Sequence, residues 1–234
     1  MTLSPELVSH NLVVVDVTDD SYWMQRAIEL AAEGYAPLTN PALGIGVEQL
    51  MATLSRDAYH EQGRARTIAA LTTDPVTGIT ELAGRARVVT GDIRGDDADM
   101  PPIEAMTFVE PLDGWPHLRA GQPISHIAEI SRFAIAGSCR TSEMRKSGTT
   151  AWILRRLYEG CLDAMRRQRA GILYAIMPPY VIRLVAQSAI RVRLIESRFR
   201  TEDSLAARFF HEFSMYFQQS SPRLYEFPDA PASI

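Results

Sequence analysis

A mixed α/β fold, a sheet flanked by helices, is what the sequence predicts, and three observations predict it. Strand-like and helix-like runs alternate along the chain. Two β-branched runs flank a turn at 74–78, the mark of an antiparallel hairpin. A polar, basic loop at 137–148 leads from a long strand-like run directly into the strongest helical pattern. This order places a loop-to-helix junction suited to an anion in the second half of the chain.

The elements follow in order. Leu12–Val17 (LVVVDV) is a short β-branched run, and Thr18, Asp19 and Asp20 after it can cap a helix. That helix runs from about Ser21 to Glu33, with Trp23, Ala27, Leu30 and Ala31 on one face and Gly34 ending it. Residues 35–46 hold two prolines and read as a loop, and 44–59 read as a second helix. Thr67–Thr73 and Ile79–Thr90 form a hairpin about Asp74-Pro75-Val76-Thr77-Gly78. Residues 91–100 are acidic and Gly-containing, an exposed connection, and 101–121 show no periodicity that places them. Ile124–Ala136 (ISHIAEISRFAIA) reads as a buried strand carrying polar residues at selected positions. Thr149–Arg169 reads as a helix with Trp152, Leu157, Cys161, Ala164 and Met165 at helical spacing and arginines on its outer face. Gly171–Met177 (GILYAIM) is a central strand closed by Pro178-Pro179, and a helix starts at Tyr180, as proline at a first turn allows. Arg191–Glu196 alternates like a strand, and Leu205–Gln218 is amphipathic with five aromatics, read as core or dimer contact. The chain reads as one domain over 1–234, its core at about 12–218, with a loose tail at 220–234.

Composition bounds the answer further. The chain of 234 residues is 46% hydrophobic and 22% charged, which excludes disordered, collagen-like and coiled-coil classes. Two cysteines, Cys139 and Cys161, are too few for a disulfide scaffold or a Cys-rich zinc site. The five histidines show no ligand spacing, so no metal is expected. No signal peptide is visible, and the longest apolar stretch, Gly171–Ile182, is too short to span a bilayer, so a cytoplasmic protein is expected. The net charge of −4 conceals an asymmetry: residues 140–200 carry thirteen Arg or Lys against four acids, and Lys146 is the only lysine. Such a region is either a solvated face or a surface for an anionic partner, whether a phosphorylated cofactor, an acidic carrier protein or nucleic acid. Nucleic acid ranks last, because no recognition helix or aromatic-interleaved basic motif is present.

Two constellations can carry chemistry. Glu129 and Arg132 stand three apart in an apolar strand, so they share a face only if a bulge intervenes. A carboxylate there is a structural ion pair or a general base with a raised pKa beside a guanidinium. The second is the run from Cys139 to Thr149, whose Arg140, Arg145, Lys146, Ser147 and Gly148 suit a pyrophosphate or phosphopantetheine at a helix start. It lacks the spacing of a P-loop. Cys139 reads as a packing residue with no evident His partner.

Taken together, the EISRFAI strand, the basic loop with glycine, the long helix, the strand ending at Pro178-Pro179 and the helix and strand after them resemble the GNAT-type N-acyltransferase core. Within that group, Glu129-Ile130-Ser131-Arg132-Phe133 resembles the Glu-x-Ser-Arg-Phe signature of LuxI-type acyl-homoserine-lactone autoinducer synthases and is similar to the related N-acyl amino acid synthases. Gly84-Arg85-Ala86-Arg87 resembles the Gly-x-x-Arg stretch before that signature. The resemblance spans about 67–196. It implies a GNAT-like, mostly antiparallel mixed sheet flanked by helices, and acyl transfer from an acyl carrier protein or coenzyme A thioester to an amine. No tightly bound cofactor is implied. Glu129 would be the base, Arg132 would fix the substrate or hold Glu129 ionised, and Tyr180 would protonate the leaving thiolate. Backbone N–H groups about Phe133 and Ile135 would polarise the thioester carbonyl. Arg140, Arg145, Lys146, Ser147 and Gly148 would hold the phosphopantetheine phosphate, and Arg85, Arg87 and His126 would face the acceptor. The N-terminal pattern by which autoinducer synthases bind S-adenosylmethionine is not matched in 21–60, where Arg26, Asp57 and Tyr59 are its loose candidates. The expectation is therefore an N-acyl amino acid synthase, with lactone synthesis from S-adenosylmethionine and a non-catalytic acyl-thioester or carrier-protein binding module as rivals. A homo-oligomer is compatible with these readings.

Overall fold

The computed structural model describes residues 4, 5, 8, 11–93, 100–119 and 125–228. Strand β1 (Leu12–Asp16) leads through an Asp20 cap, whose carboxylate accepts from the Trp23 N–H at 3.0 Å, into helix α1 (Ser21–Tyr35). Two 3₁₀ turns, α2 (Val47–Ser55) and the single turn α3 (Ala58–Glu61) follow, so the second predicted helix is present but broken at Arg56-Asp57. The hairpin is β2 (Ala65–Thr73) and β3 (Thr80–Asp92), its turn closed by the Asp74 carboxylate accepting from the Val76 N–H at 2.7 Å. The stretch that periodicity could not place holds three short elements: α4 (Ala105–Phe108), β4 (Val109–Pro111) and α5 (Pro116–Arg119). Strand β5 (His126–Ile135) is followed by a 3₁₀ turn, by α6 (Ser142–Lys146) and by α7 (Thr149–Arg167). The basic loop is thus largely helical, because Thr141 caps α6 by accepting from the Met144 N–H at 3.2 Å. Then come β6 (Ala170–Met177), α8 (Pro179–Gln187), β7 (Arg193–Ile195), β8 (Ser197–Phe199), α9 (Ser204–Glu212), α10 (Ser214–Ser220) and β9 (Arg223–Glu226).

The main sheet has seven strands in the order β1-β2-β3-β5-β6-β9-β7, and β4 pairs with β8 in a separate ribbon. Every pair in the main sheet is antiparallel except β5–β6. This is the mixed, mostly antiparallel sheet that was expected. One expectation needs correcting. The segment after Ser220 is no loose tail, since β9 inserts between β6 and β7, burying Leu224, Tyr225 and Phe227. A four-residue strand alternates too briefly to be read from sequence; the open edge of β6 supplies the partner that orders it. Residues 229–234 of that tail lie outside the described residues.

Helices α1 and α7 cover opposite faces. A Cβ on Gly84 would meet Leu157 and Ile153 of α7, whereas the next residue, Arg85, reaches the carbonyl of Ala27 on α1. The larger core lies on the α7 side, where Ile153, Leu157, Cys161 and Met165 meet Ile68, Val88, Ala128 and Leu173. Gly160 lets α7 approach the sheet, since a Cβ there would lie 2.6 Å from Val14 Cγ1 and 2.9 Å from Ile68 Cγ2. A second core, containing Ile103, Val109, Trp115, Ile127 and Tyr174, fills the space below the other half of the sheet. Among the described residues no helix is long and apolar enough to cross a membrane.

Candidate active site

The site begins with an interruption of the sheet. Parallel pairing of β5 with β6 extends only from His126↔Ala170 to Glu129↔Tyr174. Beyond it, Ala175–Met177 pair only with β9 and 130–135 only with β3, so the two strands diverge. Every second backbone group of 130–135 therefore faces the gap instead of a neighbouring strand. A cleft of about 570 Å³ occupies the gap and passes to both faces of the sheet. On the α7 side its walls are apolar, with Leu154, Cys161, Met177, Val181, Leu184 and Phe227. On the α1 side they include Ala31, Gly34, Tyr35, Ser131, Arg132 and Tyr216. Arg140, Arg145, Arg183 and Tyr180 also line it. Its size is that of a small-molecule site.

A bulge sets what faces the cleft. Arg85 pairs with Ala134 and Arg87 with Ser131, so Ala86 alone opposes both Arg132 and Phe133. Arg132 takes the left-handed region at φ 50, which costs energy for a side chain with a Cβ and persists only where its surroundings hold it. The extra residue shifts the alternation by one. Glu129 and Arg132 consequently both turn to the α1 side, while Ile130 and Phe133 both pack into the α7-side core.

Glu129 and Arg132 nevertheless form no ion pair with each other. Arg132 Nη1 contacts Asp57 Oδ2 at 3.0 Å and donates to the Leu54 carbonyl at 3.2 Å, and its Nη2 lies 3.6 Å from Glu104 Oε1. Arg87 donates to Asp57 Oδ1 and Glu104 Oε2, each at 2.6 Å, and to Ser131 Oγ at 3.2 Å. Two carboxylates thus bridge two guanidiniums, with the Tyr59 ring 5.4 Å from the Arg87 guanidinium carbon. Burial would raise the Glu104 pKa, but Arg87 and Arg132 hold it below the usual carboxylate range. Glu129 is 3% exposed and accepts from the Ala105 N–H at 2.6 Å. Burial, and then the neighbouring Glu104 charge, push its pKa up to about 8.

Asp57 and Glu104 arrive from segments that were read as a helix interior and as unplaced chain. Asp57 stands where α2 breaks and caps α3, accepting from the Tyr59 N–H at 3.1 Å. Glu104 is delivered by a close crossing over Gly91, where a Cβ would lie 2.1 Å from the Pro102 carbonyl oxygen. Arg64 Nη2 fixes that crossing by donating to the Pro101 and Pro102 carbonyls at 2.9 and 2.6 Å. The only sequence signal for Asp57 and Tyr59 was their candidacy for an acidic and aromatic pattern; nothing pointed to Glu104.

The remaining predicted site residues divide. Arg132, Phe133, Ile135, Arg140, Arg145 and Tyr180 meet at the cleft, with Tyr180 54% exposed at its mouth. Glu129, Arg85 and Arg87 lie in the buried layer on the α1 side. Lys146, Ser147 and Gly148 are exposed and do not line the cleft: Ser147 Oγ donates to the Met144 carbonyl at 3.1 Å, and Gly148 caps α7 at φ 78. His126 sits at the opposite end of β5, its Nδ1 2.9 Å from Ser125 Oγ, because the cleft opens only beyond Glu129. Arg26 is on the surface, paired with Glu29. Tyr35 and Tyr216, which line the cleft, were not anticipated as site residues. Among the described residues no group of three His, Cys, Asp or Glu is placed to hold a metal.

No protein-family model matches the chain, and no curated protein matches it. Solved structures that it resembles include synthases and transferases of acyl groups. One is FeeM, an N-acyl amino acid synthase from uncultured soil microbes, at 14% identity and TM-score 0.47, covering 94% of this chain and 92% of that one. Another is BjaI, a CoA-dependent acyl-homoserine lactone synthase, at 14% identity and TM-score 0.48, covering 94% and 84%. A third is an acetyltransferase from Streptococcus agalactiae, at 12% identity and TM-score 0.46, covering 93% and 98%.

Proposed function

We propose that the protein is an N-acyltransferase that moves a fatty acyl group from a carrier-protein or coenzyme A thioester to the amine of an amino acid or a related small molecule. The observation that carries this reading is the divergence of β5 from β6. It opens unpaired backbone groups to a cleft that is apolar on one face, polar and ionic on the other, and rimmed by arginines. The acyl chain takes the α7 side, among Leu154, Val181, Leu184 and Phe227. The thioester carbonyl lies along 133–135, where backbone N–H groups stabilise the oxyanion as the amine attacks. Arg140 and Arg145 face the pantetheine phosphate, and the excess positive charge of 140–200 suits an acidic carrier protein.

The amine nitrogen bonds to the carbonyl carbon, the C–S bond breaks, and one amine proton passes to Glu129. Glu129 does not line the cleft, so the proton reaches it through an intervening water. Tyr180 at the mouth protonates the departing thiolate. Arg87, Arg132, Asp57 and Glu104 form a rigid frame that positions Glu129 and Ser131. A second reading, lactone synthesis from S-adenosylmethionine, draws support from the union of Asp57 and Tyr59 with Arg87 and Arg132.

Mass spectrometry of lipid extracts from cells overexpressing the chain, against an empty-vector control and a Glu129→Gln variant, tests both. New N-acyl amino acids dependent on Glu129 support the first, and lactones with release of methylthioadenosine support the second. Purified protein that binds acyl thioester but consumes none, whatever the amine, overturns both in favour of a binding module.

A further inference from the structure

The end of the molecule at which the cleft opens carries more exposed apolar surface than the fold needs. Gly84 is level with Ile135, the last residue of β5, and the hairpin runs on past it through Leu71↔Leu82, Thr72↔Glu81 and Thr73↔Thr80. Its turn therefore projects about 10–13 Å beyond β5. At the tip Val76 is 90% exposed and Ile79 52%. The turn is fixed from within. The Asp74 carboxylate accepts from the Val76 and Thr77 N–H groups at 2.7 and 3.2 Å, and the Gly78 N–H donates to the Asp74 carbonyl at 2.8 Å. These bonds hold Val76 out in water.

Other elements meet at the same end. Strand β6 is parallel to β5, so Met177 and the start of α8 lie there, as do the loop after Ile135 and the first turn of α7. They present Tyr180, at the cleft mouth, and Trp152, which is 39% exposed. The same segments carry Arg140, Arg145, Lys146 and Arg183, all exposed and none in an ion pair with a described residue. Single exposed apolar side chains are ordinary, but four gathered at one end beside free cations are not. This is the chemistry that a lipid headgroup layer takes: an apolar tip among the acyl chains, Trp and Tyr at the interface, and cations on phosphates. Three acids share this end, Asp74, Glu81 and Glu143. Asp74 is turned onto the N–H groups of its own turn, and the cations remain in excess. An acidic carrier protein would be met by the cations alone, which leaves Val76 and Ile79 unexplained.

We propose that this end of the protein docks on a bilayer containing anionic lipid, with the 74–79 turn inserted among the headgroups and the mouth of the cleft facing the membrane. The attachment is peripheral and needs no spanning helix. On the acyltransferase reading, an acyl chain then passes between the bilayer and the apolar wall of the cleft without crossing water. The docking itself does not depend on that reading.

The test is sedimentation of the full chain, with no acyl donor present, on vesicles of phosphatidylcholine and phosphatidylglycerol at a molar ratio of about 7:3. The wild type should bind, and raising NaCl from about 0.1 to 0.5 M should weaken that binding several-fold. The double variant Val76→Ser, Ile79→Ser should bind at least about tenfold more weakly, because it removes the apolar tip. Its melting temperature should stay within about 2 °C of the wild type, since both residues are exposed. A second variant does not depend on the first. Val76→Cys carrying an environment-sensitive fluorophore, the two native cysteines being buried, should shift to the blue on vesicles and be quenched by brominated acyl chains. No sedimentation of the wild type, undiminished binding by the double variant, or an unshifted probe overturns the inference. Binding of a purified acyl carrier protein that needs Val76 and Ile79, with vesicles left unbound, gives the tip to a protein partner and also overturns it. Vesicle docking without transfer to any amine sinks the acyltransferase reading alone, and transfer by a chain that ignores vesicles sinks this one alone.

Discussion

In the proposed reaction Glu129 is the base, and its environment gives two signed predictions. A base must be ionised to accept a proton, and burial followed by the Glu104 charge places its pKa at about 8. The rate of acyl transfer should therefore rise with pH to an inflection near 8, which the residual activity of Glu129→Gln should lack. That variant should lose about 10²–10⁴ in kcat with thioester binding nearly unchanged, as measured by single-turnover kinetics and direct titration. The same shift acts on folding with the opposite preference. A carboxyl with a raised folded pKa contributes stability that is whole below its ordinary value near 4.5 and is lost as pH rises through about 8. Glu129→Gln should thus flatten the decline in stability across that window. Asp57 answers to a different rule. Asp57→Ala strips Arg87, itself 1% exposed, of a 2.6 Å partner and should cost about 3–5 kcal/mol in urea unfolding.

Among the elements, α7 and the Pro101–Glu104 crossing make the most exposed commitments. Gly160 in a helix interior would ordinarily be improved by alanine, by about 0.5–1 kcal/mol. Here the added Cβ would stand 2.6 Å from Val14 Cγ1, so Gly160→Ala should destabilise by about 1–3 kcal/mol, the sign itself being the test. Gly91→Ala should move the crossing that carries Glu104, with the Cβ 2.1 Å from the Pro102 oxygen. Its expected signature is a lower melting temperature together with a fall in the pKa of Glu129, since the Glu104 charge that helps to raise it recedes. Helix α7 was legible because Leu157, Cys161, Ala164 and Met165 repeat at helical spacing, and all four are buried. Strand β9 and the short elements of 105–119 were not, because runs of three or four residues carry too little periodicity to be told from loop.

For the whole molecule, the concentration of positive charge in 140–200 predicts how a donor is met. Arg140 and Arg145 are exposed and line the cleft, and Lys146, next in the chain, is exposed outside it. Binding of an acidic carrier protein should weaken steeply with ionic strength, whereas coenzyme A thioesters, held by the same arginines at closer range, should show a shallower slope. Surface plasmon resonance across a salt series separates the two. A carrier protein whose affinity ignores salt would remove the basic rim from the account.

By itself the sequence determined the mixed sheet, the hairpin, the long helix and the strand that holds Glu129 and Arg132, because each is written in a local period or a turn composition. It also determined the condition for those two side chains to share a face, a bulge, though not the bulge itself. Tertiary structure alone decided that Arg132 answers to Asp57 and Glu104 instead of Glu129. It alone decided that β5 and β6 part beyond Glu129, and that among the described residues Arg85 has no carboxylate within ion-pair distance while Arg87 has two. The reason is physical. Periodicity reports which face of an element is buried, but a charge's partner and a strand's neighbour come from segments 17–78 residues away, joined by crossings that no local pattern encodes.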